Sequence, residues 1–249
     1  MDYNVIEKAG KRGYAQMKVF IVYCHPSEDS FTRKLRDEFI KGITDSGNEY
    51  VMSDLYEMDF KSDMTEQQYL RDANYQTTEF AEADVLAEHE KINSADAIAF
   101  IYPVFWTEAP AKLVGWFDRV WTYGFAYGNN KKMKMLEKAM ILCSAGNPIE
   151  KLEQFGLLAS MKKVMFGDRL FNRAKQMEFV VFDGTSREKD SRENNWDSHL
   201  EKAYKKGKDF FAEAEGIPAR LILRQWERFA AVRDLSFWVF RKVFMPLRR

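Results

Sequence analysis

Cysteine and histidine are scarce in this 249-residue chain, with two of the first and three of the second. Cys24 and Cys143 both lie inside apolar runs and read as buried thiols, so nothing in their number demands an oxidising compartment. His89 and His199 sit in charged surroundings and read as solvated, the acidic Glu79–Glu90 stretch reads as the wet face of a helix, and no ligand spacing joins the histidines to a cysteine, so no metal site is expected. No run of about 18 apolar residues occurs, so no membrane-spanning helix is expected. The first sixteen residues carry Asp2, Glu7, Lys8, Lys11 and Arg12 without an apolar stretch, and no signal peptide is read there. Charge of one sign is not in excess either: 38 Lys+Arg balance 38 Asp+Glu, which argues against wholesale nucleic-acid binding. These absences point to a cytoplasmic protein. Two glycine signatures, GxGxxG and GxxxxGK[ST], are also missing, so neither a dinucleotide fingerprint nor a P-loop is indicated.

What is present is a chain 46% hydrophobic and 31% charged, which excludes a mainly disordered or fibrous polymer. Five short apolar runs stand out at Met17–Cys24, Glu49–Leu55, Ala97–Val104, Ala139–Ala145 and Met177–Asp183. Several are apolar nearly throughout, as strands covered on both faces of a parallel sheet are. Helical spacing fills the intervals at Phe31–Ser46, Glu79–Asn93, Pro110–Thr122, Ile149–Phe166 and about Asp190–Glu215. The alternation predicts an α/β fold with a doubly wound, five-stranded parallel sheet of flavodoxin-like order. Residues 1–16 read as an N-terminal extension, 17–215 as the body and 216–249 as a separate tail.

That tail reads as an amphipathic helical extension. From Ala219 onward eight cations face two anions, a net +6 that leaves −6 on the rest of the chain. Arg220, Arg224 and Arg228 fall on one helix face and Trp226, Phe229, Phe237 and Phe244 on the other. Gly216-Ile217-Pro218 reads as the hinge before it. Packing of the tail on the body or on a second subunit is the favoured reading, and peripheral contact with an anionic membrane the alternative.

In an open parallel sheet, ligands bind outside the carboxyl ends of the strands. Three segments leave strands there. In Cys24–Phe31 (CHPSEDSF), Ser30 occupies an N-cap position, where the first free helix amides can receive a phosphate. His25 is read with equal weight as a ligand contact or as a structural residue. In Tyr102–Pro110 (YPVFWTEAP), two prolines stiffen a segment with two large aromatics, a suitable wall for a planar heteroaromatic ligand. Core packing of Phe105 and Trp106 is the competing reading. In Ser144–Pro148 (SAGNP), small residues permit close approach to the backbone.

These residues carry a resemblance. HPSEDSF at 25–31 resembles the His-x-x-x-x-Ser-Phe signature of the NAD(P)H:quinone oxidoreductase family, flavodoxin-like enzymes of DT-diaphorase type. YPVFWTEAPAKLVGWFDRVWTYGFAY at 102–127 is similar to that family's longest motif, SDLYEMDF at 53–60 to another stretch and Asn74-Tyr75-Gln76 to a shorter one. The resemblance covers roughly residues 17–215. It implies a flavin reduced by NAD(P)H and reoxidised by a quinone or similar small acceptor, in a homodimer. By the resemblance, His25, Ser30 and Phe31 contact the flavin's phosphate arm, and Pro103, Val104, Phe105 and Trp106 line the isoalloxazine. Ser144, Ala145 and Gly146 meet its edge by backbone. Gln76 matches a pyrophosphate contact of members that use FAD, which tilts the cofactor from FMN towards FAD. Tyr127 matches an aromatic that closes the acceptor pocket from the partner subunit, and Asn129 stands where the family's next such aromatic lies. The chain departs from the pattern after its glycine turn, where NPIEKLEQFGLLAS holds neither the Tyr nor the His of animal-type members. No catalytic side chain is therefore assigned, and an electron carrier or non-catalytic flavin-binding subunit stays as the alternative.

Overall fold

The computed structural model describes residues 16–76, 81–186, 189–212 and 217–218. The apolar runs form five parallel strands: β1 (Lys18–Tyr23), β2 (Glu49–Asp54), β3 (Ala97–Pro103), β4 (Leu136–Ser144) and β5 (Ala174–Phe182). Their order is β2-β1-β3-β4-β5. A two-residue strand, β6 (Ile217–Pro218), adds an antiparallel edge opposite Gln176 and Met177. The residues read as a hinge thus end in a strand pairing. The basic aromatic tail from 219 and the extension 1–15 lie outside the described residues.

The period of two sorts the strand side chains between two layers. Val19, Ile21, Ala99, Ile101, Met140 and Leu142 face helices α1 (Phe31–Asp45) and, at the far end of the sequence, α7 (Lys189–Lys208), against Leu35, Phe39, Ile43 and Ala203. Phe20, Val22, Phe100, Ile141 and Cys143 face the other way, onto Ile92, Leu113, Trp116 and Met161. Those residues belong to α3 (Ala83–Ser94), α4 (Ala111–Val120) and α6 (Leu157–Val164). All seven residues of β3 are buried, which explains its uninterrupted apolar sequence.

The structure corrects the helical reading in three places. A further helix, α2 (Glu66–Ala73), starts at a capping box between Thr65 and Gln68. The single helix expected over Ile149–Phe166 is broken into α5 (Ile149–Gln154) and α6 at Phe155-Gly156, with Gly156 at φ 68°. A π-helical turn, Met165–Arg169, follows α6. The two histidines read as solvated are packed instead. His89 stacks on Phe125 with ring centroids 3.5 Å apart, and its Nε2 lies 2.8 Å from the Val120 carbonyl oxygen. His199 has its Nε2 2.9 Å from the Asp183 carbonyl oxygen. The neighbouring Glu88, read as part of a wet face, is fully buried and accepts hydrogen bonds from Ser53, Lys91 and Trp116. Three donors make a buried carboxylate tolerable and tie β2, α3 and α4 together.

Candidate functional site

The chain leaves β1 towards β2 on one side, and β3, β4 and β5 lie on the other. The crevice between the carboxyl ends of β1 and β3 is therefore the switch point of the sheet. Register places Tyr23 beside Ile101 and Pro103 beside Ser144, so the segments 24–30, 104–110 and 145–148 emerge side by side.

The first segment ends in an N-cap. Ser30 is extended (φ −126°, ψ 153°) and its Oγ accepts the Arg33 N–H at 3.1 Å. The amides of Phe31 and Thr32 open a fifteen-residue helix, where intrahelical acceptors are lacking and the macrodipole favours an anion. Thr32 and Ser144 share a hydroxyl–hydroxyl hydrogen bond of 2.8 Å, which fastens the start of α1 to the end of β4. His25 Nδ1 lies 2.9 Å from the Ser27 amide nitrogen and 3.0 Å from the Ser27 carbonyl oxygen, so the Ser27 backbone fixes the ring in either tautomer. Partial burial lowers the His25 pKa below its ordinary value, against the opposing hydrogen bond to the Ser27 backbone. The Phe31 ring stacks on Trp196 at 4.5 Å, so Phe31 offers its backbone rather than its ring.

In the second segment the two aromatics are not packed in the core. Phe105 is 44% exposed and Trp106 fully exposed. Val104 N–H donates to the Ser144 carbonyl (2.8 Å), and Phe105 and Glu108 exchange backbone hydrogen bonds of 2.8 and 2.9 Å around a tight turn. Its two central residues are left-handed, Trp106 at φ 52° and Thr107 at φ 66°. Neither is glycine and one is β-branched, so the turn stores about 1–2 kcal/mol per residue. Strain of this kind marks functional segments. A groove of about 580 Å³ is lined by Phe105, Trp106 and Glu108 of this turn together with Ser62, Asp63 and Gly115.

The third segment is held from behind. Ala145 N–H donates to the Phe182 carbonyl at 2.9 Å, and the Thr185 amide and hydroxyl both donate to the Ala145 carbonyl at 3.0 Å. The Ile149 amide donates to Asp183 Oδ2 at 2.9 Å. Gly146 is left exposed. The Thr32 hydroxyl, Thr185, Asp183, Glu108 and Trp196 escaped the sequence reading, because each acts through a partner 34 to 165 residues away. The one legible signal was the Thr after Ser30-Phe31, on the buried side of α1.

Gln76, Tyr127 and Asn129 are not brought to this crevice within one chain. α4 runs back from the carboxyl edge, and the segment after it hydrogen-bonds near the strands' starts: Lys134 N–H to Asn93 and Lys131 Nζ to the Asn172 carbonyl. There Tyr75, Tyr123 and Tyr127 form an edge-to-face row with centroids 5.2 and 5.8 Å apart. Burial raises the Tyr127 hydroxyl pKa, with the Asp72 carboxylate adding to it. Gln76 closes α2 beside that row, its N–H bonded to the Arg71 carbonyl, and Asn129 is exposed.

Anion-directed amides, an imidazole fixed by the Ser27 backbone, a flat exposed indole and bare backbone at Gly146 fit a phosphorylated planar heteroaromatic, as a flavin is. Among the described residues no three His, Cys, Asp or Glu gather as a metal site, and no helix is long and apolar enough to cross a membrane.

Comparison with known proteins agrees with this geometry. The Flavodoxin_2 family, described as a flavodoxin-like fold, matches residues 17–206. The solved NAD(P)H:quinone oxidoreductase from Methanothermobacter marburgensis is 40% identical with a TM-score of 0.76, over 81% of this chain and 99% of that one. An uncharacterized NAD(P)H oxidoreductase of Haemophilus influenzae is 30% identical over 67% of this chain and 83% of its own length. NAD(P)H dehydrogenase [quinone] 1 of Rattus norvegicus is 32% identical over 45% of this chain, and the match spans only 46% of that relative, about half its length. A crevice built by the switch point, matched along nearly the whole of a solved relative, makes this chain a member of the flavodoxin-like NAD(P)H:quinone oxidoreductase family.

Proposed function

We propose that the chain is a flavin-dependent NAD(P)H oxidoreductase that passes hydride from a nicotinamide, through bound flavin, to a quinone or similar small acceptor. The observation that carries this is the juxtaposition at the switch point of the free α1 amides with the strained, fully exposed Trp106 turn. When bound, the flavin supplies the redox chemistry between the two substrates, and the protein supplies binding and orientation. The amides of Phe31 and Thr32, with Ser30 and His25, hold the phosphate arm. Pro103, Val104, Phe105 and Trp106 would form the ring's wall, while the exposed backbone of Gly146, held in place by Ser144 and Ala145, would meet its polar edge. Backbone dipoles there favour negative charge on a reduced ring.

Gln76 favours FAD over FMN. It and Tyr127 lie at the other end of α4, so they reach the crevice only from a second copy of the chain, which supports a homodimer with Tyr127, beside Asn129, over the acceptor slot. A cytoplasmic site of action accords with the absence of a membrane-spanning helix among the described residues.

The test is an absorbance spectrum of the purified protein supplied with FAD or FMN, followed by anaerobic NADH and then NADPH. Flavin bands that bleach with either donor, and a Trp106→Ala variant that folds yet loses most of its flavin, are the expected results. Failure to bind either flavin refutes the proposal. The Tyr- and His-free segment 147–160 favours one competing reading, an electron carrier or non-catalytic flavin-binding subunit. Bound flavin that neither nicotinamide bleaches would select it.

A further inference from the structure

The left-handed turn at Trp106-Thr107 needs something to hold it, since neither residue adopts that conformation by preference. Its closing backbone hydrogen bonds flank Glu108, whose carboxylate is engaged twice. Glu108 Oε1 accepts the Ala109 N–H at 2.7 Å and the Arg169 Nη1 at 2.9 Å, with Arg169 Nη2 3.5 Å from Oε2. Arg169 is itself fixed before it meets the carboxylate. Its guanidinium lies 4.8 Å over the Phe117 ring, its carbonyl accepts the Trp121 indole N–H at 2.7 Å, and its side chain is only 12% exposed. It closes the π-helical turn Met165–Arg169, an irregularity that often marks functional positions. A stacked, nearly dry guanidinium loses little freedom on pairing and presents a planar fork to the carboxylate.

We propose that Arg169 is a positioning residue which, through Glu108, clamps the Phe105–Glu108 turn in the left-handed form that presents Trp106 to the flavin. The proposal rests on the flavin reading above for its ligand, and on the ion pair alone for the clamp. The chain thereby anchors its flavin wall from the π-helical turn that follows α6.

The test compares Glu108→Gln, Arg169→Met, their double variant and Arg169→Lys as full-length chains. Glu108→Gln keeps the oxygen that receives the Ala109 amide and removes only the charge. Amide hydrogen exchange at Phe105 and Glu108, read without flavin, should quicken about three- to tenfold in both single variants, and no further in the double. Exchange at Phe100 in β3 should be unchanged. FAD and FMN titrations should show affinity falling by a similar factor, with Arg169→Lys intermediate. If Arg169→Met fails to fold, Glu108→Gln, altered at a half-exposed carboxylate, carries both readings. Unchanged exchange at the turn overturns the clamp. Faster exchange with undiminished flavin affinity overturns its positioning role. A parent chain that binds no flavin refutes the flavin reading instead, while exchange still decides the clamp.

Discussion

Helices α1 and α7 touch through glycine on both sides, and adding one methyl group there should be costly. A Cβ on Gly42 would meet the Tyr204 carbonyl oxygen and lie 2.6 Å from the Lys208 nitrogen and 3.0 Å from the Gly207 carbonyl carbon. A Cβ on Gly207 would meet the Phe39 carbonyl oxygen, 3.1 Å from the Ile43 nitrogen. These neighbours are backbone atoms and cannot rotate aside, so the helices must part by roughly 1 Å to restore normal contact. Parting strains the layer of Leu35, Phe39, Ile43, Ala203 and Phe210, where Phe39 and Phe210 meet at 5.7 Å. Overpacking costs about 1–3 kcal/mol and more against rigid backbone, while alanine returns about 1 kcal/mol of helix propensity. The net for Gly42→Ala or Gly207→Ala is a loss of about 2 kcal/mol, or roughly 4–8 °C in Tm for a body of this size. Urea and thermal unfolding followed by circular dichroism would measure it. A Gly42→Ala chain as stable as the parent, or about 1 kcal/mol more stable as propensity alone dictates, would refute the close-crossing argument. Because α1 carries Ser30 and Thr32 while α7 supplies Trp196, the same variants should bind flavin less tightly.

Burial lowers the pKa of His89 from 6.5 to about 4, so the unfolded chain protonates first as the pH falls. Its contribution is whole above about pH 6.5 and drains away towards pH 4, a loss of about 2 kcal/mol between pH 7 and pH 5. His89→Gln should remove that part of the slope in urea titrations at the two pH values, and identical slopes in both chains would contradict it. The thiols of Cys24 and Cys143 are buried, and burial pushes Cys24 up to about 12 and Cys143 higher. A chromogenic disulfide reagent should therefore titrate neither thiol in the native chain and both after denaturation. Prompt reaction of one would show that the end of its strand is open.

The sheet was legible because its strands are buried on both faces, leaving short apolar runs that no other arrangement explains. The three loops followed from strand order and from Ser30 standing where a cap belongs. Whether Phe105 and Trp106 were core or wall was not legible, since that depends on a turn whose left-handed Thr107 no local preference forecasts. Glu88 and His89 misled for a related reason. A charged helix face reads as wet, yet Ser53 of β2 and Trp116 and Val120 of α4 supply partners from two other elements. The capping box of α2 was written in Thr65 and Gln68 but sits in a polar stretch without an apolar period. The Glu108–Arg169 pair joins residues 61 positions apart, with nothing local to announce it. Resemblance grouped Gln76 with the flavin, and the single chain places it at the end of α2, while Tyr127 was expected to act from a partner subunit.

The α1–α7 crossing also bears on how the protein is made. The residues that flank α1 in the finished layer lie far downstream, as the bond from the Tyr204 hydroxyl to Asp45 Oδ2 across 159 positions illustrates. During translation at about 5–20 residues per second, Leu35, Phe39 and Ile43 wait on the order of ten seconds or more for the helix that covers them. The crevice lip built on α1 stays loosely seated throughout that interval. Ribosome-bound intermediates of this chain should accordingly present an apolar α1 flank to holdase chaperones, and binding competence should arrive late, with the emergence of α7.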